Sequence, residues 1–111
     1  MTVHQMKLTD IYLSKIQSGN KVIELRLFDA KRQKINIGDK AQFTDNNLKN
    51  KIETQVVALY RYTTFEEMFK DFSPQLFGGN SKEELIAELE QFYSIEDQKQ
   101  YGVLGIKIIL A

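Results

Sequence analysis

Glu24 and Arg26 are the residues whose types and spacing best suit chemistry. They lie two apart in Val22-Ile23-Glu24-Leu25-Arg26-Leu27, where apolar and charged residues alternate as in a β-strand, so both charges project from one face. Opposite charges this close either pair with each other or grip a polar ligand. On a solvated face such a pair contributes only about 0 to 1 kcal/mol. Lys21 has the opposite parity, but it follows Gly19-Asn20, where a helix ends and the pleat is not yet established, so its direction is open. A lysine held near a carboxylate positions an anion or activates a nucleophile. In a solvated position it is an ordinary surface lysine.

Tyr60 and Tyr62 share one strand face and are candidate stacking surfaces for a base, at about 1 to 3 kcal/mol per base. Phe65 and Phe92 read as core. Lys31, Arg32, Lys34 and Lys40 surround the loop after the Glu24 strand, either as a solvated loop or as a track for a phosphate backbone. His4 is the only histidine and reads as structural. With no cysteine and no second histidine, a disulfide, a thiolate or multi-histidine metal site and a Cys nucleophile drop out, and no cofactor is expected.

The elements that must hold these residues follow from periodicity. The 111 residues read as one continuous domain, 1–111, with no repeat or linker. His4 to Leu8 alternates as a strand, and Thr9 or Asp10 caps a helix through Ile11, Leu13 and Ile16 that Gly19 ends. After the Val22–Leu27 strand come strands at Lys40–Phe43 and Ile52–Tyr62. Thr64-Phe65-Glu66-Glu67 and Ser81-Lys82-Glu83-Glu84 are capping boxes, the second opening an amphipathic helix through Leu85, Ile86, Leu89, Phe92 and Tyr93. Val103–Leu110 closes the chain as a buried strand. Strands at both ends with helices between them predict an α+β barrel or curled sheet.

Fifteen basic residues balance fifteen acidic ones. Zero net charge argues against coating nucleic acid through many phosphate contacts and leaves room for a local footprint. No stretch reaches the roughly 18 apolar residues of a membrane helix, and residues 1–9 lack the pattern of a signal peptide. A cytoplasmic location with no membrane or metal partner is expected.

The segment Gly19-Asn20-Lys21-Val22-Ile23-Glu24-Leu25-Arg26 resembles the G-x-K-x-x-E-x-R signature of the ASCH domain family. Further landmarks follow in order: the preceding helix with Tyr12 and Ile16, Gly38-Asp39, Tyr60 before Thr64-Phe65-Glu66, Phe92-Tyr93, and Tyr101-Gly102-Val103. The resemblance implies a PUA-like β-barrel with short flanking helices. It also implies a cleft lined by the signature strand and the region around Asp71. The implied ligand is RNA, a nucleotide or a modified nucleoside, with Lys21, Glu24, Arg26, Tyr60 and Tyr62 as contacts. Glu24 would accept from a base's amino or imino edge, and Lys21 and Arg26 would meet carbonyl or phosphate oxygens.

One bacterial branch, similar in fold, hydrolyses the acetyl amide of acetylated cytidine with a Lys, a Thr three residues later and an acidic residue. Lys21 matches the lysine, Glu24 stands at the threonine's position, and Asp71 is the nearest acid. A carboxylate cannot replace a hydroxyl nucleophile. Hydrolysis here would therefore use Glu24 as general base on water, Lys21 or Arg26 at the oxyanion, and Asp71 for a second proton. Binding is the leading expectation, with an amidohydrolase and a protein-interaction adaptor as alternatives. The oligomeric state is left open.

Overall fold

Alternating apolar residues build five strands, β1 (Val3–Leu8), β2 (Ile23–Leu27), β3 (Lys40–Asp45), β4 (Lys51–Tyr62) and β5 (Val103–Leu110). The computed structural model describes residues 2–111. The strands form one sheet of order β1-β3-β4-β5-β2, in which β1 and β3 run parallel and all other neighbours antiparallel. The sheet curls into a half-barrel whose free edges are β1 and β2, an α+β architecture as expected.

Four helices accompany the sheet: α1 (Asp10–Ser18), α2 (Phe65–Met68), α3 (Lys82–Glu90) and α4 (Ile95–Tyr101). Thr64, Ser81 and Ser94 cap the last three, each hydroxyl accepting from the backbone N–H of Glu67, Glu84 or Asp97. The Glu67 carboxylate takes Lys70 Nζ at 3.0 Å instead of turning back to Thr64. One 3₁₀ turn, Arg32–Lys34, follows β2 and another, Pro74–Phe77, precedes α3.

Two expectations are corrected here. The helix predicted through Phe92 and Tyr93 ends at Glu90, and a separate α4, closed by Tyr101, follows. Phe92 consequently sits between two helices and is 72% exposed, whereas Phe65 is core at 1%.

β4 carries a bulge at Val57, so Val56 faces Ile108 while Ala58 faces Lys107 on β5. One extra residue reverses the side to which later side chains point. Ile52 and Val56 therefore join a first apolar cluster with Met6, Phe43 and Ile106, and beyond the bulge the odd-numbered Leu59 packs against that cluster. Tyr60 and Tyr62 turn instead to a second cluster around Ile23, Phe65, Phe69, Phe77 and Leu85. His4 is buried, and its Nε2 lies 2.8 Å from Asp39 Oδ2, which also accepts the Asn36 N–H at 3.0 Å. The pair ties β1 to the turn before β3.

Candidate functional site

The open direction of Lys21 is decided by the way α1 ends. The N–H groups of Asn20 and Lys21 both donate to the Lys15 carbonyl, at 2.8 and 3.0 Å, so Lys21 is still in the turn and not in β2. Its side chain swings to the Glu24 side, placing Nζ 3.1 Å from Glu24 Oε1 and donating to the Phe77 carbonyl at 3.2 Å. The ammonium lies 5.0 Å from the centre of the Tyr12 ring, a cation–π contact.

Glu24 is 3% exposed and both of its oxygens are engaged. Oε1 meets Lys21 and accepts the Leu25 N–H at 3.1 Å, while Oε2 accepts from Arg26 Nε at 2.9 Å and Nη2 at 2.7 Å. Burial works against the Glu24 charge, yet Lys21 and Arg26 together hold its carboxyl below the usual value. Burial also pushes the Lys21 ammonium below the usual lysine value, against the pull of Glu24. Buried Lys21 and partly buried Arg26 thus share one carboxylate, leaving an excess of positive charge.

Above this trio lies a cleft of about 480 Å³ between α1 and α3. Four cationic side chains face it, Lys7, Lys15, Lys21 and Arg26, against the carboxylates of Glu24 and Glu88. Tyr12, Phe92 and Tyr93 supply aromatic surface. The Tyr12 hydroxyl donates to Glu88, bridging α1 to α3. Lys15 Nζ donates to the Gly78 carbonyl at 2.6 Å. Gly78 has φ of +79°, and a Cβ there would come within 3.1 Å of Lys21 Cβ and 3.2 Å of Lys15 Cδ. Only glycine lets both lysines lie against this turn.

Of the residues expected at the site, Lys21, Glu24 and Arg26 come together in the cleft. Asp71, Tyr60 and Tyr62 do not line it. Asp71 is exposed and accepts from the Tyr62 hydroxyl at 2.6 Å. Tyr60 and Tyr62 lean on Phe72, with ring centres 4.8 and 6.3 Å away. The Val57 bulge puts them on the side of the second apolar cluster, where Phe72 covers them. The basic group also divides: Lys31 Nζ donates to the Gln5 carbonyl at 3.2 Å, Arg32 reaches Asp29 at 3.4 Å, and Lys34 and Lys40 are exposed.

Lys15, Glu88 and the cleft-facing positions of Tyr12 and Tyr93 went unrecognised in the sequence. Tyr12 and Lys15 stand three apart on α1, a spacing that puts them on one helix face and was the available signal. Glu88 and Tyr93 arrive only through the packing of α3, which local periodicity does not encode. Among the described residues no group of three or more His, Asp or Glu side chains is placed to hold a metal ion, and no helix is long and apolar enough to cross a membrane.

The family model of the ASCH domain matches residues 6–110. The chain belongs to the ASCH domain family. The crystal structure of the hypothetical protein PH0355 shares 33% identity at a TM-score of 0.88, covering 99% of this chain and 100% of the other. Protein PF0455 from Pyrococcus furiosus, solved by NMR, shares 32% identity at a TM-score of 0.76, over 98% of this chain and 97% of its own. An ASCH domain from Lactobacillus crispatus shares the fold at 13% identity and a TM-score of 0.75, over 98% of this chain and 79% of the other. No curated protein matches the ASCH chain described here. Its half-barrel is accordingly of the PUA-like type.

Proposed function

We propose that this ASCH domain binds a nucleotide-like ligand, whether an RNA segment, a nucleotide or a modified nucleoside, in the cleft between α1 and α3. The observation that carries the reading is the sharing of Glu24 by Lys21 and Arg26 at the cleft floor. The unbalanced positive charge suits phosphate or carbonyl oxygens, and the exposed Phe92 suits the face of a base.

Glu24 has a different task from the one the sequence suggested. With both oxygens occupied it orients the two cations instead of accepting from a base edge. The same occupation makes it a poor general base, since its proton affinity is lowered by Lys21 and Arg26. With Asp71 outside the cleft lining, binding is better supported than amide hydrolysis. An open cleft above the charged trio also favours such a ligand over a protein adaptor.

The test is a thermal-shift panel of ribonucleosides, nucleotides and short single-stranded RNA. A ligand at a hundred times its Kd stabilises the folded chain by about 2.7 kcal/mol. A saturable shift from at least one member is expected, with no acetate released from acetylcytidine. A flat response across the panel overturns the reading.

A further inference from the structure

Zero net charge conceals a division of charge across the fold. Residues 64–97, which form α2, the Pro74–Phe77 turn, α3 and the start of α4, carry nine acidic and two basic side chains, a net of −7. The rest of the chain carries six acidic and thirteen basic ones, a net of +7. The acidic helices pack through Phe65, Met68, Phe77 and Leu85 against Ile23 and Leu25 of β2 and Val103 of β5. They cover the β2 side of the sheet and leave its β1 side to the basic part of the chain.

On β1, β3 and the first half of β4 the inward residues, among them Met6, Phe43 and Ile52, fill the first apolar cluster. The alternate residues face out of the half-barrel, and all of them are exposed or half-buried. Register sets them in rows: Lys7 beside Thr44 and Lys51, Gln5 beside Gln42 and Glu53, and Lys40 between Val3 and Gln55. Three lysines thus stand against one carboxylate. Among the described residues none of the three makes a salt bridge. Lys40 lies about 13 Å along the strands from the row of Lys7 and Lys51, a spacing that suits successive phosphates and not a single one. Lys7 also lines the cleft, so face and cleft are continuous.

We propose that the outer face of β1, β3 and the first half of β4 docks the phosphate backbone of a single-stranded nucleic acid, one nucleotide of which enters the cleft. The cleft part rests on the nucleotide-like reading above, whereas the sheet face is a separate surface. No aromatic or arginine side chain stands in these rows, so the face lacks both the anchors of a protein interface and a surface for base stacking. It offers ammonium groups and the glutamine amides to backbone oxygens, contacts that position a strand without reading its sequence. The acidic helices repel the same strand and confine it to the sheet side.

The test compares the four 5′-mononucleotides with mixed-sequence RNA and DNA strands of about 12 nucleotides, titrated against the full chain. The better strand binds more tightly than any mononucleotide. Replacing both Lys40→Gln and Lys51→Gln weakens the strand about tenfold or more and lowers the slope of log affinity against log salt by about 1.4, the loss of two phosphate contacts. Mononucleotide affinity and melting temperature stay unchanged, because both lysines are exposed and outside the cleft lining. Glu53→Gln tightens the strand. A strand that binds no better than a mononucleotide, or one indifferent to the double variant, overturns the docking face and leaves the cleft reading intact. A glutamate peptide of equal charge that binds as tightly as the strand also overturns it, in favour of an acidic protein partner. Strand binding that needs Lys40 and Lys51, with no mononucleotide bound and no effect of Phe92→Ala, supports the face and overturns the cleft reading. No binding by any probe overturns both.

Discussion

Arg26 Nη2 donates to the backbone carbonyl of Lys7 at 2.7 Å while also holding Glu24. A β2 side chain therefore reaches the outer edge of β1, and the open side of the half-barrel is spanned by side chains where a closed barrel would use main-chain pairing. The candidate site and the fold share the same residues, which shapes what each substitution reports.

Glu24→Ala is expected to destabilise the protein by about 3 to 5 kcal/mol, because it leaves buried Lys21 and partly buried Arg26 without their counter-charge. Urea unfolding measures this directly. A loss below about 1 kcal/mol would mean that the trio behaves as a solvated surface pair. Binding data on this variant therefore need a folding control.

Phe92→Ala is expected to leave stability within about 0.5 kcal/mol, since the side chain is 72% exposed. It should weaken binding of a nucleotide-like ligand by about 1 to 3 kcal/mol through lost stacking. Calorimetry on the ligand found in the thermal-shift panel decides. Unchanged affinity would remove Phe92 from the binding surface.

Stability should fall in acid. Glu24, Asp39 and Asp45 all ionise below their ordinary values of 4.5, 3.8 and 3.8. For Glu24, burial opposes the shift and Lys21 with Arg26 overcome it; for Asp39, the hydrogen bond from His4 leads; for Asp45, burial is outweighed by N–H donors from Lys49 and Asn50. A depressed folded-state value means that the unfolded chain takes up protons first. The stabilisation is complete above these ordinary values and is lost as pH falls through the folded ones. Urea midpoints from about pH 7 to about pH 3 should hold and then drop. A flat midpoint across that range would contradict the assignment.

Gln98→Ala is expected to cost about 1 to 3 kcal/mol. The buried amide accepts the Phe65 N–H at 3.0 Å and donates to the Tyr93 carbonyl at 3.2 Å, joining the start of α2 to the loop that carries the cleft aromatics. Amide hydrogen exchange at Phe65 should quicken. Unchanged exchange there would show that water or a neighbour replaces the glutamine.

Gly79→Ala should destabilise the chain by about 1 to 3 kcal/mol. Its Cβ would meet Leu85 Cγ at 2.6 Å, and Leu85 is the buried anchor of α3. Because α3 forms one wall of the cleft, ligand affinity should fall along with the melting temperature. A variant as stable as the parent would mean that α3 can shift freely.

Much of the fold was legible because periodicity is local. The limits of β5 were read at Val103–Leu110, and β4 began one residue earlier than read, at Lys51. The Val57 bulge was not legible, since apolar residues on both faces of β4 conceal a change of parity. It moved Tyr60 and Tyr62 to the other side. Helix α4 was overlooked because Leu89, Phe92 and Tyr93 continue the spacing of α3, which masked Ser94-Ile95-Glu96-Asp97 as a third start signal. In the site, Lys21, Glu24 and Arg26 were readable from the eight consecutive positions Gly19 to Arg26. Asp71 was assigned by its place along the chain, and tertiary packing took it to Tyr62.

The bridging of the seam also bears on how the protein behaves at high concentration. β1 turns the carbonyls of Gln5 and Lys7 outward, and the side chains of Lys31 and Arg26 already occupy them. An uncapped edge is a template on which another chain's strand can add, the first step towards aggregates. Here that template carries positive charge and is already engaged, so two copies meeting edge to edge would repel before they could pair.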